Sequence, residues 1–344
     1  MKKNKPILNE VGFNIRNHKF SKIQILFEEK IFFLGKFKRR FDLCLTLPKF
    51  NLIKCYYQDN YVENLYLSYI SKIKFFKIYF KIFSIFFFFL FPKKKIYINK
   101  DEIVLFGPYS HSYSHFIHEF AVRLIYLQKY KKIKDIYVPS NLKLFLSSKI
   151  YRNVFNKLNF KYYANDKNYI FTNCRYLTHT HNRWIFKNKK KKIPKEFKNL
   201  IKIFTKKVKK NVLKNKNFEY LIISRLNAKK RILINENELF ARLKKYGFKR
   251  IFFEKMSYKK QVEVSQNCKI MLGYHGAGLT NSFFMEPGTH LIEMYNKFYA
   301  HEHPEFFAKS VNVNFKKFMC SKNKKNLDGE CDINEIEKFI KKII

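Results

Sequence analysis

Short apolar runs alternate along the chain with segments whose apolar residues recur every three or four positions. Glu102 to Phe106 reads as a strand closed by a Gly107-Pro108 turn, and the spacing that follows predicts a helix from about Ser112 to Lys129. Ile117, Phe120, Ala121, Leu124 and Leu127 form the core stripe of that helix. His111, His115, Glu119 and Arg123 recur every four residues and so share another face. A strand at Asp135 to Val138 completes a strand, helix, strand unit of a parallel sheet, and a further helix is expected near Leu142 to Leu158.

The second half alternates more clearly. Tyr220 to Ile223 is an apolar strand, and Asn235 with Glu238 three residues later gives a capping-box-like start to a helix through Lys245, ended by Gly247. Next come a strand at Arg250 to Phe253, a helix from about Ser257 to Gln266, a strand at Lys269 to Tyr274, a glycine loop, a short helix and a strand at Leu291 to Tyr295. Four strands alternating with three helices predict a Rossmann-like domain. Between the halves, Lys187 to Asn217 is Lys-rich, with Ile193, Phe197, Leu200, Ile201, Phe204 and Val208 near helical spacing, which predicts a basic amphipathic helix and linker.

The first ninety residues show no comparable period. Phe75 to Phe91 is nearly all Phe and Ile, but Lys77 and Lys81 interrupt it and Pro92 ends it, so it falls short of the roughly 20 apolar residues of a membrane span. A buried element or a helix lying in a membrane interface fits better.

Composition changes the picture in two ways. The chain has 344 residues, 47% of them apolar, which excludes a disordered tail and allows two domains with separate cores. Its 71 Lys and Arg against 26 Asp and Glu give a net charge of +45, pointing either to a solvated surface or to an anionic partner such as nucleic acid, phospholipid or a nucleotide-bearing substrate. The wealth of Lys, Ile, Asn and Phe is that of an AT-rich genome, so much of this charge is expected to be compositional. Six cysteines without a C-x-x-C pair, and no secretory apolar core after Met1-Lys2-Lys3, lead to the expectation of free thiols in a reducing cytoplasm.

The sharpest chemical signal is His275-Gly276-Ala277-Gly278-Leu279-Thr280-Asn281, which follows a buried strand and opens a helix. Small residues there let the backbone approach a phosphate, and the N–H groups of a helix start favour negative charge. A plain tight turn is the simpler reading of the pattern alone. Ser224-Arg225 ends the first strand of the same domain and Arg231 follows six residues on, so two guanidinium forks are expected at one crevice. Glu293, near the end of the next strand, is expected to accept hydrogen bonds from ribose hydroxyls or to form a surface salt bridge. A solvated face explains the His111, His115, Glu119, Arg123 stripe as well as a site does. His179-x-His181 and His301-x-His303 have no third ligand at a suitable spacing, so no structural metal is expected. P-loop, zincin and α/β-hydrolase motifs are missing from the sequence.

Together these residues resemble the glycosyltransferase 61 family (the DUF563 domain). The resemblance rests on His275 through Asn281, then Phe284, Pro287-Gly288 and Glu293; on Ser224-Arg225, Arg231, Asn235-Glu236, Gly247-Phe248 and Gln261; and on Tyr113, His115, Glu119, Arg123 and Leu124 in the first half. It covers about residues 100 to 310. Glu119 stands where Asp is commoner, Val122 replaces a usual Pro, and Tyr274 is bulkier than expected, which bears on donor and acceptor identity.

The resemblance implies an α/β, GT-B-like architecture of two facing Rossmann-like domains with parallel sheets, and inverting transfer of a sugar from a nucleotide sugar to a hydroxyl. The expected division is 1–92 as the N-terminal part of the first domain, with the Phe-rich membrane-surface segment 75–91; 93–217 as the acceptor-side domain ending in the Lys-rich linker helix; 218–318 as the nucleotide-sugar domain; and 319–344 as a basic tail and helix. His115 and Glu119 are the expected catalytic pair, supported by His111 and Arg123. Ser224, Arg225, Arg231, His275, Gly276, Ala277, Gly278, Asn281 and Glu293 are the expected donor-binding set. With no Asp-x-Asp, no metal or other cofactor is expected. Expected partners are a nucleotide sugar, a glycan or lipid-linked acceptor of bacterial polysaccharide or lipopolysaccharide synthesis, and the anionic cytoplasmic face of the inner membrane. A nucleic-acid-binding protein and a non-catalytic sugar-nucleotide or glycan binder are the alternatives.

Overall fold

The computed structural model describes residues 94–344 apart from 107–109, 165, 166, 168, 178–192, 194, 214–217, 300–302 and 322–325, together with the backbone of three strands between residues 25 and 53. The Phe75 to Phe91 segment and the His179-x-His181 pair lie outside the described residues. The chain forms two α/β units, one of Met1–Leu146 with Phe155–Glu196, the other of Ser147–Val154 with Phe197–Ile344.

The sheet of the first unit contains β1 (Ile25–Phe37), β2 (Phe41–Leu47), β3 (Asn51–Ile53), β4 (Lys94–Tyr97), β5 (Glu102–Val104), β6 (Asp135–Pro139), β7 (Asn159–Tyr163) and β8 (Tyr169–Leu177). Their order is β3-β2-β1-β8-β5-β6-β7, with β4 also on β8. The β8-β5-β6-β7 run is parallel, whereas β1, β2 and β3 are antiparallel. From β5 the chain moves outward to β6 and β7, then returns to β8 on the other side. The order therefore reverses at the carboxyl ends of β5 and β8, where open α/β sheets hold their ligands. The segment leaving β5 carries His115 and Glu119.

In the second unit β9 (Tyr220–Ile223), β10 (Lys249–Ile251), β11 (Ile270–Tyr274), β12 (His290–Asn296) and β13 (Asn314–Cys320) form a wholly parallel sheet in the order β10-β9-β11-β12-β13. Here β10 lies on one side of β9 and β11 on the other, so the switch falls between β9 and β11. Ser224-Arg225 follows β9 and His275-Gly276 follows β11, which puts the two expected donor motifs at the same edge of the sheet. Ile222, Leu272, Ile292 and Met294 fill the core on one face of this sheet with Leu239, Leu243, Ile336 and Ile340. Gly247, at φ +87°, supplies the left-handed turn that ends the helix Glu236–Lys244.

The unit boundaries differ from the sequence-based division. The Lys-rich helix Lys195–Lys209 is part of the second unit from Phe197 onward, since Phe197 meets Phe306 and Phe204 meets Phe284, at ring separations of 4.8 and 6.2 Å. Most of its apolar face is thus spent on a core, leaving mainly lysines outward, together with Asn199 and Ile203. The single helix expected over Leu142 to Leu158 is two, Lys143–Leu146 and Lys149–Val154, parted at Ser147-Ser148, and Tyr151 in the latter packs against Phe204 and Tyr258 of the second unit. Residues 319–344 are no tail, because β13 runs to Cys320 and the helix Ile333–Ile340 buries Ile333, Ile336 and Ile340 in the core. Asn235 makes no side-chain cap; it donates to the Cys331 carbonyl at 2.8 Å and accepts from the Cys331 N–H at 3.1 Å, tying the C-terminal segment down.

Candidate functional site

In the first unit the helix expected over Ser112 to Lys129 is interrupted. A short α-turn, Tyr113–His115, gives way to a π-helical turn, Phe116–Ala121, before α-helix resumes at Val122–Leu127. Each residue of a π turn rotates less about the axis than in an α-helix, so a stripe drawn at α spacing breaks there. The polar stripe is accordingly not a solvated face. His111 is exposed and His115 half-buried, while His118, Glu119 and Arg123 are buried.

His115 Nδ1 lies 2.8 Å from Glu119 Oε1, and His118 Nε2 lies 3.4 Å from the same oxygen. Burial alone pushes the Glu119 carboxyl up, but the contact with His115, 2.8 Å away, leads the influences that outweigh it and hold the group well below the usual carboxylate range. Burial drives His118 the other way and keeps it neutral. His118 Nδ1 donates to the Ser114 carbonyl, which fixes the tautomer and turns the Nε2 lone pair toward Glu119. The second Glu119 oxygen is buried with no hydrogen-bond partner among the described residues. Arg123 supports the turn from inside: Nε donates to the Glu119 carbonyl at 3.0 Å, Nη1 donates to the Phe106 carbonyl at 2.8 Å, and the guanidinium stacks over Phe120. It clamps the π turn to the chain leaving β5. The sequence reading passed over His118, whose only signal was its i, i+3 spacing from His115.

In the second unit the loop after β11 presents half-buried Gly276 and Gly278 and exposed Ala277, and a 3₁₀ helix, Ala277–Phe284, follows. Arg225 lies across Gly276, where an added Cβ would stand 2.2 Å from its Nη1. Gly276 is extended, at φ −177°, so space and not backbone freedom requires glycine there. The guanidinium is pinned by the carbonyls of Arg231 and Lys230, at 3.0 and 3.2 Å. Arg231 adopts φ +58°, and the C-terminal segment holds it so. Its N–H donates to Asn326, the next N–H donates to the Asp328 carboxylate at 2.8 Å, and Tyr274 Oη donates to the Leu327 carbonyl at 3.0 Å. Ser224 is buried and its hydroxyl accepts from the Leu226 N–H at 3.3 Å. Glu236, beneath it, receives the Arg225 N–H at 3.4 Å and is raised by burial.

Two of the expected donor contacts are internal. Asn281 is fully buried and donates to Gln261 Oε1 at 3.1 Å, while Gln261 Nε2 donates to the carbonyls of Phe253 and Met256. The amide therefore anchors the loop to the helix Tyr258–Ser265. Glu293 is 2% exposed and bonds to His275 Nδ1, which places its carboxyl against the imidazole ring. Burial raises Glu293 to about 8, and burial together with Arg231 and Arg225 lowers His275 to about 3. Below pH about 8 the glutamic acid thus donates to Nδ1, and the imidazole proton is left on Nε2 as a donor. What reaches the edge of the sheet is His275 Nε2 beside two arginines and the start of a helix, a set of donors and positive charge suited to phosphate oxygens.

Comparison with known proteins bears on both units. Residues 113–292, more than half of the chain, match glycosyltransferase 61. Over 72 residues, 20% of this chain, it is 37% identical to the EGF domain-specific O-linked N-acetylglucosamine transferase of Drosophila melanogaster, and the match spans 14% of that protein's length. Among solved structures, E. coli heptosyltransferase WaaC with ADP aligns over 72% of this chain and 100% of its own, at 10% identity and a TM-score of 0.37. Since the matched span takes in the His115-to-Arg123 helix, Ser224-Arg225, Arg231 and the whole 275–281 loop, the chain belongs to the glycosyltransferase 61 family.

Proposed function

We propose that the protein transfers a sugar from a nucleotide-sugar donor to a hydroxyl acceptor with inversion at the anomeric carbon. The observation that carries this reading is the donor cluster at the β9/β11 switch, where Arg225, Arg231 and His275 converge beside the 276–278 backbone. As the acceptor hydroxyl attacks, negative charge develops on the departing diphosphate; these groups are already oriented and stabilise it without reorganising. Such a cluster does the work that a metal does elsewhere, so transfer needs no metal ion.

The proton of the acceptor hydroxyl goes to the Glu119 carboxylate or to His115, which touches it. An ionised carboxylate held by an imidazole is a general base whose proton can pass on to His115. The name of the Drosophila relative makes N-acetylglucosamine the first donor sugar to test. The acceptor is a glycan or a lipid-linked saccharide of a bacterial surface polysaccharide or lipopolysaccharide, and the outward lysines of Lys195–Lys209 hold the enzyme on the anionic cytoplasmic face of the inner membrane by charge alone. Flotation with anionic vesicles at low salt but not at high salt supports that contact, and the lack of any binding at low salt removes it.

The first experiment is a thermal-shift series with UDP, GDP, CDP and CMP. A nucleotide that binds the folded state raises the melting temperature by mass action. One nucleotide stabilising the wild type but not Arg225→Ala supports the donor site; no shift with any nucleotide and no sugar transfer would overturn the reading.

A further inference from the structure

We infer that His115, His118 and Glu119 form a three-ligand site for a divalent transition-metal ion of the zinc and cobalt class. One ligand atom from each of the three residues, a ring nitrogen of each histidine and a carboxylate oxygen of Glu119, lies within 4.8 Å of the other two. Ligands about 2.1 Å from a common ion stand about 3.0 to 3.4 Å apart in octahedral or tetrahedral geometry. The separations of 2.8 Å between His115 and Glu119 and 3.4 Å between His118 and Glu119 bracket that range.

Three further features separate this group from an ordinary hydrogen-bonded cluster. The Ser114 carbonyl accepts a hydrogen bond from His118 Nδ1, the outer interaction that fixes a metal-binding imidazole in the correct tautomer. It leaves a nitrogen lone pair facing a carboxylate oxygen, an arrangement that a cation relieves. The remaining Glu119 oxygen is buried with no hydrogen-bond partner among the described residues, and so can complete a bidentate carboxylate. Positions i, i+3 and i+4 share one face of the helical segment, and Arg123 braces it by donating to the Glu119 carbonyl. Two imidazoles and one carboxylate on one side of an ion leave the opposite positions open.

The site goes beyond the transfer reading and competes with it. An ion bound there occupies the lone pairs of His115 and Glu119 that a base needs, so the metal-bound form is inactive and the chelated form is active. The test reads binding first, without donor or acceptor. Protein treated with chelator and desalted is titrated with Zn²⁺ by calorimetry and with Co²⁺ by its visible ligand-field absorption. One equivalent is expected to bind, and His115→Ala, Glu119→Gln and His118→Phe are each expected to weaken it by at least about a hundredfold. His115 is only partly buried, so its variant keeps the fold, and thermal melts check the other two. No saturable binding by the wild type, or binding that survives all three substitutions, would overturn the site. Zinc that binds there but leaves sugar transfer unchanged upholds the site and removes His115 and Glu119 from the base role.

Discussion

Each unit buries a histidine against a glutamate, yet the two pairs settle in opposite charge states. Glu119 meets the His115 imidazole at 2.8 Å, and that contact leads the influences that overcome burial and keep the carboxylate ionised. Glu293 meets one imidazole, and that imidazole stands beside Arg225 and Arg231, which oppose its protonation; burial then wins and the carboxyl keeps its proton up to about pH 8. The same two residue types therefore give a proton acceptor in one unit and a hydrogen-bond donor in the other. Their neighbours, and not the pair itself, assign the role.

The sharpest way to break this comparison is Glu119→Gln, which keeps the shape of the side chain and removes the base. Turnover is expected to fall by about 10² to 10⁴ with little change in nucleotide affinity, as read by initial rates beside a thermal shift. Native turnover in this variant would mean that Glu119 is a structural anion only.

Arg123→Met tests whether the ionised pair depends on its clamp. Two carbonyls lose their donor in a buried site, and the first unit is expected to lose about 3 kcal/mol in denaturant unfolding. Gly276→Ala addresses the other unit: its Cβ must displace the Arg225 guanidinium, so nucleotide affinity is expected to fall at least about tenfold. Because φ at Gly276 is extended, the melting temperature should hardly move.

The pH dependence sharpens the contrast most directly. The depressed Glu119 contributes stability that is present above the ordinary carboxylate range and is lost as pH falls through its folded value, so Glu119→Gln should flatten the acid limb of the stability curve. Glu293, raised from 4.5 to about 8, contributes stability that is full below its unfolded value and is lost as pH rises through 8. Over the same alkaline range the wild type should lose nucleotide affinity several-fold, because ionised Glu293 becomes an acceptor for His275 Nδ1, the imidazole proton shifts from Nε2 to Nδ1, and Nε2 is left as an acceptor. Glu293→Gln, whose amide donates permanently to Nδ1, should keep its affinity to pH 9. A shared alkaline loss in both proteins would place the titration elsewhere.

Much of this was legible in the chain. Apolar runs of four or five residues followed by amphipathic spacing specified most of the strands and helices of the second unit, with Tyr220–Ile223 placed to the residue. The last strand escaped notice because it is a half-exposed edge, and Lys316-Lys317 disguises its alternation. The first-unit helix was found, but not its π turn, since no local propensity marks one. His118 entered the site because i and i+3 share a helical face, and the polar stripe went inside because the unit buries most of that face.

By itself the sequence determined the α/β class, the family, and which glycines, arginines and histidines stand at strand ends, because these depend on periodicity and short-range spacing. Only the tertiary structure decided which of those residues reach outward. It turned Asn281 inward to Gln261, set Glu293 behind His275, laid Arg225 over Gly276 and drew residues 326–331 around Arg231. It also decided charge. Whether a buried carboxyl holds its proton depends on how many positive or neutral groups crowd it in three dimensions, and residues far apart in the chain, such as Arg225 and His275, meet only when the sheet is built.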